Sequence, residues 1–478
     1  MGLVALAAGL GLLATLPPRT IGIVVAGAVL VGLTLAPPQI ALLLLVATIP
    51  WEGFLHYPTQ TITTVKVLGV VALASLLFRA LAERRTLVFP PAVIAVLVFG
   101  LAVAASLMTS TDPRAGVAKA IRYELFVIFF FLVVQLTRGR EDAVRLLKVF
   151  AGSATVSALV GLALLVAGVH DHARGPVSDP NDFAFVLATA VPVALFLARA
   201  GPRVSPMWAL SAAILVTGVF GTLSRGGLVG LGALVLWGFT QGGTRRVAVL
   251  AWVAGTAVVL LVAIHFAAPA LKTPLDHKSK VAHQNVVTRQ ALWRAAGDEW
   301  VHHPLLGVGP SEFGPNSDRY VGNRPYSVTG SPVNISVAHN ITFHGTSEIA
   351  VHNSYLELLA ENGALGLLAF VGTLALAFHG LVRRQAEVRP GSPDQRLLMA
   401  LQGAFVVMAV TACFISAQVG FPFWFIGALA TGVAYGDRRS SGFIRTGERR
   451  APAVGMAAWP ALRRGLRPPP SASGRLRA

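Results

Sequence analysis

Long apolar stretches follow one another along almost the whole chain, and they decide what it can fold into. Runs of roughly 15 to 27 predominantly apolar residues extend from residue 3 to residue 436, with one long interruption at 271–351. The hydrocarbon core of a bilayer is about 30 Å thick, so a helix needs about 20 apolar residues to cross it. No water is available there to satisfy backbone N–H and C=O groups, so each run must close its own hydrogen bonds as a helix. The expected spans are 3–16, 20–36, 38–50, 64–82, 88–109, 117–137, 143–169, 180–199, 206–223, 225–240, 246–270, 352–382, 394–415 and 417–436. The fold class is therefore an all-α, polytopic integral membrane protein of about 12–14 transmembrane helices with one large periplasmic or extracellular loop. Composition agrees: 54% of residues are hydrophobic and 13% charged, against about 25% charged in a soluble domain.

The formal net charge of +18 does not point to nucleic acid, because the positive residues sit in short connections and in the tail, where topology requires them. Arg79, Arg84 and Arg85 mark one connection, and Arg138, Arg140 and Arg145 the next. Arg199 with Arg203, Arg245 with Arg246, and Arg383, Arg384, Arg389 and Arg396 follow. They fall at every second connection, which puts those ends and the tail in the cytoplasm and the 271–351 loop outside. Arg19 falls outside in this scheme and conflicts with it. With no basic segment before Arg19, the N-terminus reads as a short first helix rather than a cleaved signal peptide. Cys413 is the single cysteine, so no intrachain disulfide is possible. The expected organisation is 1–115 as N-terminal helices, 116–436 as a transmembrane core that includes the 271–351 loop, and 437–478 as a basic, Pro/Ser-rich cytoplasmic tail, disordered and able to touch anionic lipid.

This topology gathers the unusual polar residues at the outer face. Arg122 lies in Lys119-Ala-Ile-Arg122-Tyr123-Glu124, and Asp179-Pro180-Asn181 opens the helix at 180. Ser224-Arg225-Gly226-Gly227 is a tight turn between two helices. Arg289, Trp293 and Arg294 lie in the large loop, ahead of His302-His303-Pro304-Leu305-Leu306-Gly307-Val308-Gly309. His352-Asn353-Ser354-Tyr355 starts the helix that re-enters the membrane. Structural readings stand beside the functional ones. Arg225 serves equally as an interfacial anchor, Asp179 and Asn181 as helix caps beside Pro180, and Arg122 as the partner of Glu124 or another carboxylate. Gly307-Val308-Gly309 has no strand–helix context and reads as a turn, not a nucleotide loop. The loop histidines His277, His283, His302, His303, His339 and His344 lack zinc-ligand spacing. His352 is the strongest functional candidate. At a helix N-terminus the macrodipole favours its neutral ring, with Ser354 and Glu357 as a capping box and Glu361 one turn deeper.

These residues carry a resemblance. His352-Asn353, nine residues, Gly363, two residues, Gly366 resembles the signature of the O-antigen ligase and polymerase superfamily. Leu223-Ser224-Arg225-Gly226 resembles its Ser-Arg turn, and Arg289-x3-Trp293 followed by Pro304-Leu-Leu-Gly-Val-Gly309 resembles the segment entering its large periplasmic loop. The likeness spans roughly residues 115 to 435. It implies an all-helical enzyme of the bacterial inner membrane with its active site on the periplasmic face. Such an enzyme moves a glycan from an undecaprenyl diphosphate carrier to an acceptor hydroxyl on a glycan, lipid A–core or a protein. It implies His352, Arg225 and Arg289 as catalytic, with Arg122, Asp179, Asn181, Arg294, Asn353 and Glu357 as substrate-binding candidates.

The chemistry agrees with that reading. Arginine grips phosphate oxygens in a bidentate way and keeps its proton, and a neutral histidine suits a general base near neutral pH. Arginines able to stabilise the leaving diphosphate remove the need for a metal or other cofactor. The alternative is a transporter of a small anion such as bicarbonate, a label given to some relatives of this superfamily. A transporter should place its polar residues near the midplane, on broken helices of an inverted repeat. A third reading is a nonenzymatic carrier-binding protein.

Overall fold

The computed structural model describes residues 32, 37–51, 64–84, 86–175, 179–201, 203–241, 289–314, 316, 350–416, 418 and 420–447, with 64–65 and 437–447 as backbone only. Among them are twelve α-helices: α1 (Pro38–Thr48), α2 (Thr64–Ala82), α3 (Pro91–Ser106), α4 (Pro113–Leu136), α5 (Arg140–Val166), α6 (Pro180–Ala198), α7 (Pro206–Gly221), α8 (Arg225–Thr240), α9 (289–302), α10 (Ser354–Glu387), α11 (Pro393–Thr411) and α12 (Phe421–Gly447). The expected spans 3–16, 20–36 and 246–270 lie outside the described residues, as do His277, His283, His339 and His344. Residues 1–437 form one compact unit and 438–478 a second.

Local sequence explains where the helices start. Six of them, α1, α3, α4, α6, α7 and α11, open on a proline, whose missing N–H the first turn does not need. Side chains of Asp112, Asp179, Ser224, Asn353 and Ser392 accept the free amides of the turns that follow them. Among the described residues, five helical stretches are long and apolar enough to cross a membrane: Pro91–Thr109, Arg140–Val166, Pro180–Ala198, Ser354–Glu387 and Pro393–Phe414. The helix α4 is as long, but its first turns carry Lys119, Arg122 and Glu124. Large apolar side chains such as Ile94, Leu97, Val98 and Leu101 of α3, and Leu365 and Leu368 of α10, are exposed in belts. That is the surface of a chain solvated by lipid. The protein is an all-α polytopic membrane protein.

Packing fixes the order of the ends. The helix α6 is almost wholly buried between α5, α7, α8 and α11, and α10 lies along α3. Aromatic rings tie α3, α4, α10 and α12 together: Phe126 stacks on Trp424 at 5.7 Å, Phe99 meets Tyr123 edge-on at 5.5 Å, and Phe370 meets Phe423 at 5.4 Å. One end of the bundle collects the basic connections. There Arg396 Nη1 donates to the Arg199 carbonyl at 2.8 Å, and Arg140 pairs with Asp394 at 3.5 Å. The opposite end, here the loop end, collects the residues flanking the long interruption. Three of the basic connections, at Arg140, Arg199 and Arg396, thus share one end of the bundle.

Two features depart from the expected pattern. The interruption at 271–351 is not loop throughout: α9 buries Ala291, Leu292, Ala295 and Ala296 against Phe313, Val351 and Ala360. The apolar pairs at four-residue spacing make that face. The second departure is a break in α10 at Gly363 (φ 64°, ψ −168°). The segment Pro304–Gly309 fills it. Val308 and Gly309 donate to the carbonyls of Ala360 and Glu361 (2.9 and 3.0 Å), while Ala364 and Leu365 donate to those of Pro304 and Leu305 (2.9 and 3.2 Å). Four backbone groups at the break are thereby paired with protein, as low-dielectric surroundings favour. Gly307-Val308-Gly309 is a turn, with φ of 71° and 108° at its glycines.

Candidate functional site

The polar residues of the loop end converge from six elements. Asp179 caps α6, its Oδ1 accepting from Asn181 and Asp182 amides at 2.5 and 3.4 Å. Asn181 then accepts the Ser224 hydroxyl at 2.8 Å, which locks the α7–α8 turn onto α6. That turn is tight because Leu223 takes φ 55°; it leaves Arg225 exposed at the start of α8. The capping reading of Asp179 and the site reading hold together, since the capped carboxylate also acts on its neighbours' charges.

Arg289 starts α9 and donates from Nη1 to the Phe414 carbonyl at 3.1 Å, bridging the large loop to the α11–α12 connection. Burial lowers its pKa, Asp179 opposes that, and Arg225 adds to it. His352 is half-buried just before α10. Burial holds its ring below the ordinary histidine value and Arg289 pushes the same way, while Asp179 and Glu357 push back. Arg289 thus lies within electrostatic reach of Asp179, Arg225 and His352, and His352 within reach of Asp179. Burial therefore favours the neutral ring in the same direction as the helix N-terminus.

The capping box at Ser354 and Glu357 does not form. Asn353 is the cap, its Oδ1 accepting from Tyr355 and Leu356 amides at 3.1 Å each. Ser354 is turned away to the Ile415 carbonyl at 2.8 Å. Glu357 is claimed by charge: Lys119 Nζ lies 2.9 Å from its Oε1 and 2.7 Å from Glu361 Oε2. A buried carboxylate with an ammonium in reach gains more there than on a solvent-facing amide.

Beside His352 opens a cavity of about 520 Å³. Its polar end is lined by Lys66, Lys119, Arg122, Asp179, Asn181, His352, Glu357 and Ser416. It continues as an apolar groove between α2 (Gly69, Val70, Leu73) and α4 (Leu125, Ile128, Phe129, Leu132). Arg122 faces this cavity, whereas Glu124, two positions on, lies against Gly100 of α3. Arg225 and Arg289 stand beside the cavity rather than in its lining. Arg294 does not join: five positions past Arg289, about 140° round the helix, it is exposed.

Several buried groups here were not singled out from sequence. Ser416 falls between the expected spans 394–415 and 417–436, and Gln418 at the start of the second. Glu299 on α9 is fully buried with neither oxygen hydrogen-bonded, and burial together with Glu361 pushes its carboxyl up to about 9. Glu312 accepts from Ser110 (2.7 Å), Thr111 (2.6 Å) and the Asp112 amide, docking the loop onto the α3–α4 connection. Burial works to raise Glu312, but those hydrogen bonds outweigh it and its carboxyl lies below the usual range. The signal available for Ser416 and Gln418 was their place at the junction of two apolar runs; Glu299 and Glu312, within a polar stretch, carried none.

Residues 210–371 match the model of a family described as O-antigen ligase, and no curated protein matches the chain. The matched stretch runs from α7 past the break in α10 and contains Arg225, Arg289, His352, Gly363 and Gly366. It leaves out Arg122, Asp179, Ser416 and Gln418. Residues 210–371 thus form a stretch similar to the O-antigen ligase family, about a third of the chain.

Proposed function

We propose that this protein transfers a glycan from an undecaprenyl diphosphate carrier to an acceptor hydroxyl, as a ligase or polymerase working at the periplasmic face of the bacterial inner membrane. The observation that carries the reading is the cavity beside His352, polar at the loop end and apolar along α2 and α4. Such a cavity suits a molecule with an anionic head and a long hydrocarbon tail. His352 takes the proton of the attacking hydroxyl as the bond between the sugar C1 and the diphosphate oxygen breaks. The charge growing on the diphosphate is met by Arg225 and Arg289, whose planar forks match phosphate oxygens. Arg122 and Asn181 bind from the cavity wall. In-line attack inverts the anomeric centre, and the reaction needs no metal.

Transport of a small anion has one observation in its favour, the broken helix α10. In a transporter the unwound backbone lines the ion path and binds the ion. Here the carbonyls of Ala360 and Glu361 are already occupied by Val308 and Gly309, so transfer is the better reading. The test is purified protein given a carrier-linked glycan and a set of acceptors, with the product identified. Arg225→Lys and Arg289→Lys keep the charge but lose the fork, so each should cut turnover at least about tenfold. Full transfer by both lysine variants would remove the bidentate contacts, and no transfer to any acceptor by the wild type would remove the reaction.

A further inference from the structure

Resting on the reading of His352 as the base, we propose that Glu357 and Ser416 are positioning residues that clamp the backbone of Val351 and His352 and so aim the ring. The starting observation is that His352 has φ 55°. This left-handed backbone is uncommon for a residue with a side chain and persists only where its surroundings over-determine it. The surroundings here are one carboxylate. Val351 N–H donates to Glu357 Oε2 at 3.3 Å, and His352 N–H donates to Ser416 Oγ at 3.2 Å. The Ser416 hydroxyl donates in turn to the same Glu357 Oε2. The other oxygen, Oε1, accepts from Gln418 Nε2 at 2.7 Å and Lys119 Nζ at 2.9 Å.

Two carboxylate oxygens offer about four acceptor positions, and four donors from within the protein fill them. Glu357 therefore has no acceptor position left for a sugar hydroxyl, which argues for holding the base rather than holding substrate. Lys119 balances the charge that makes the grip strong. Ser416 lies beyond the stretch matched by the ligase family, on the far side of α11, and reaches His352 only through the fold.

The experiment compares Ser416→Ala and Ser416→Thr, each alone and combined with His352→Ala, using labelled carrier-linked glycan. Ser416→Ala should lower kcat about tenfold, with KM for the carrier and thermal melting unchanged. Ser416→Thr keeps the hydroxyl and should restore most of the rate. In the His352→Ala background, Ser416→Ala should cost nothing further, because there is no ring left to aim. Wild-type kcat in Ser416→Ala overturns the clamp. So does a raised KM with unchanged kcat, which would put Ser416 on the substrate, or a tenfold loss that persists when His352 is gone. If His352→Ala itself keeps wild-type turnover, the base assignment fails, a result separable from all of these.

Discussion

The general base proposed at His352 has to be unprotonated to work, and its surroundings set that condition in opposite directions. Burial and Arg289 lower the ring's pKa, while Asp179 and Glu357 raise it. With the net shift downward, the neutral ring persists below the ordinary histidine value, and turnover should fall only as pH drops through the lowered pKa. Arg289→Gln removes a neighbour that lowers the pKa, so the acid limb of the pH–rate profile should move to higher pH. Asp179→Asn removes a neighbour that raises it, so the limb should move to lower pH. The readout is the position of the limb rather than its height, since both substitutions also touch binding. Limbs that coincide in the wild type and both variants would place the titrating group elsewhere. At this scale part of the constellation is legible in the sequence: residue type and expected sidedness single out His352, Arg225, Arg289 and Asp179, and Arg289 lies within electrostatic reach of the other three. The partners of Glu357 were not legible. A Ser-x-x-Glu at a helix start spells a capping box, and only the tertiary approach of Lys119 and Ser416 redirects that carboxylate.

At the scale of the element, the signature spacing from His352 to Gly363 gains a physical meaning. Nine helical residues after the cap, the chain needs a conformation that only glycine adopts readily: φ 64° with ψ −168° lies in a region all but closed to other residues. A Cβ there would lie 2.6 Å from the Leu306 nitrogen and closer still to the Leu305 carbonyl. Gly363→Ala should therefore combine backbone strain with eviction of the Pro304–Gly309 segment, a loss of at least about 3 kcal/mol. Thermal melting in detergent should show it, with activity lost at temperatures where the wild type is stable. A variant that melts with the wild type would mean the segment is not held by the break. Hydropathy alone could not reveal this break, because Glu361-Asn362-Gly363-Ala364 is flanked by apolar residues on both sides and reads as one helix. The same blindness hid α9, whose apolar face is three alanines and a leucine within a polar stretch.

Over the whole molecule, the arrangement that makes these elements a site is the alternation of helix direction. Basic connections meet at one end, where Arg396 reaches Arg199 and Arg140 reaches Asp394. The loop end holds Arg225, Arg289, His352 and the mouth of the cavity. Positively charged connections are retained in the cytoplasm, so the loop end should face outward, where a flipped lipid-linked glycan and its acceptor would meet. This is checked by replacing Cys413 with alanine and introducing single cysteines at Val301 on α9 and at Val204 between α6 and α7, both exposed valines. An impermeant thiol reagent on intact cells should label position 301 and leave 204 untouched until the membrane is opened. The reverse pattern would put His352 and both arginines on the cytoplasmic side, where the same chemistry would have to act on a carrier before it is flipped. Equal labelling of both would contradict the alternation itself, because the connection carrying position 204 is held at the start of α11, where Arg396 meets Arg199, and α9 is held at its end, where Arg289 meets Phe414.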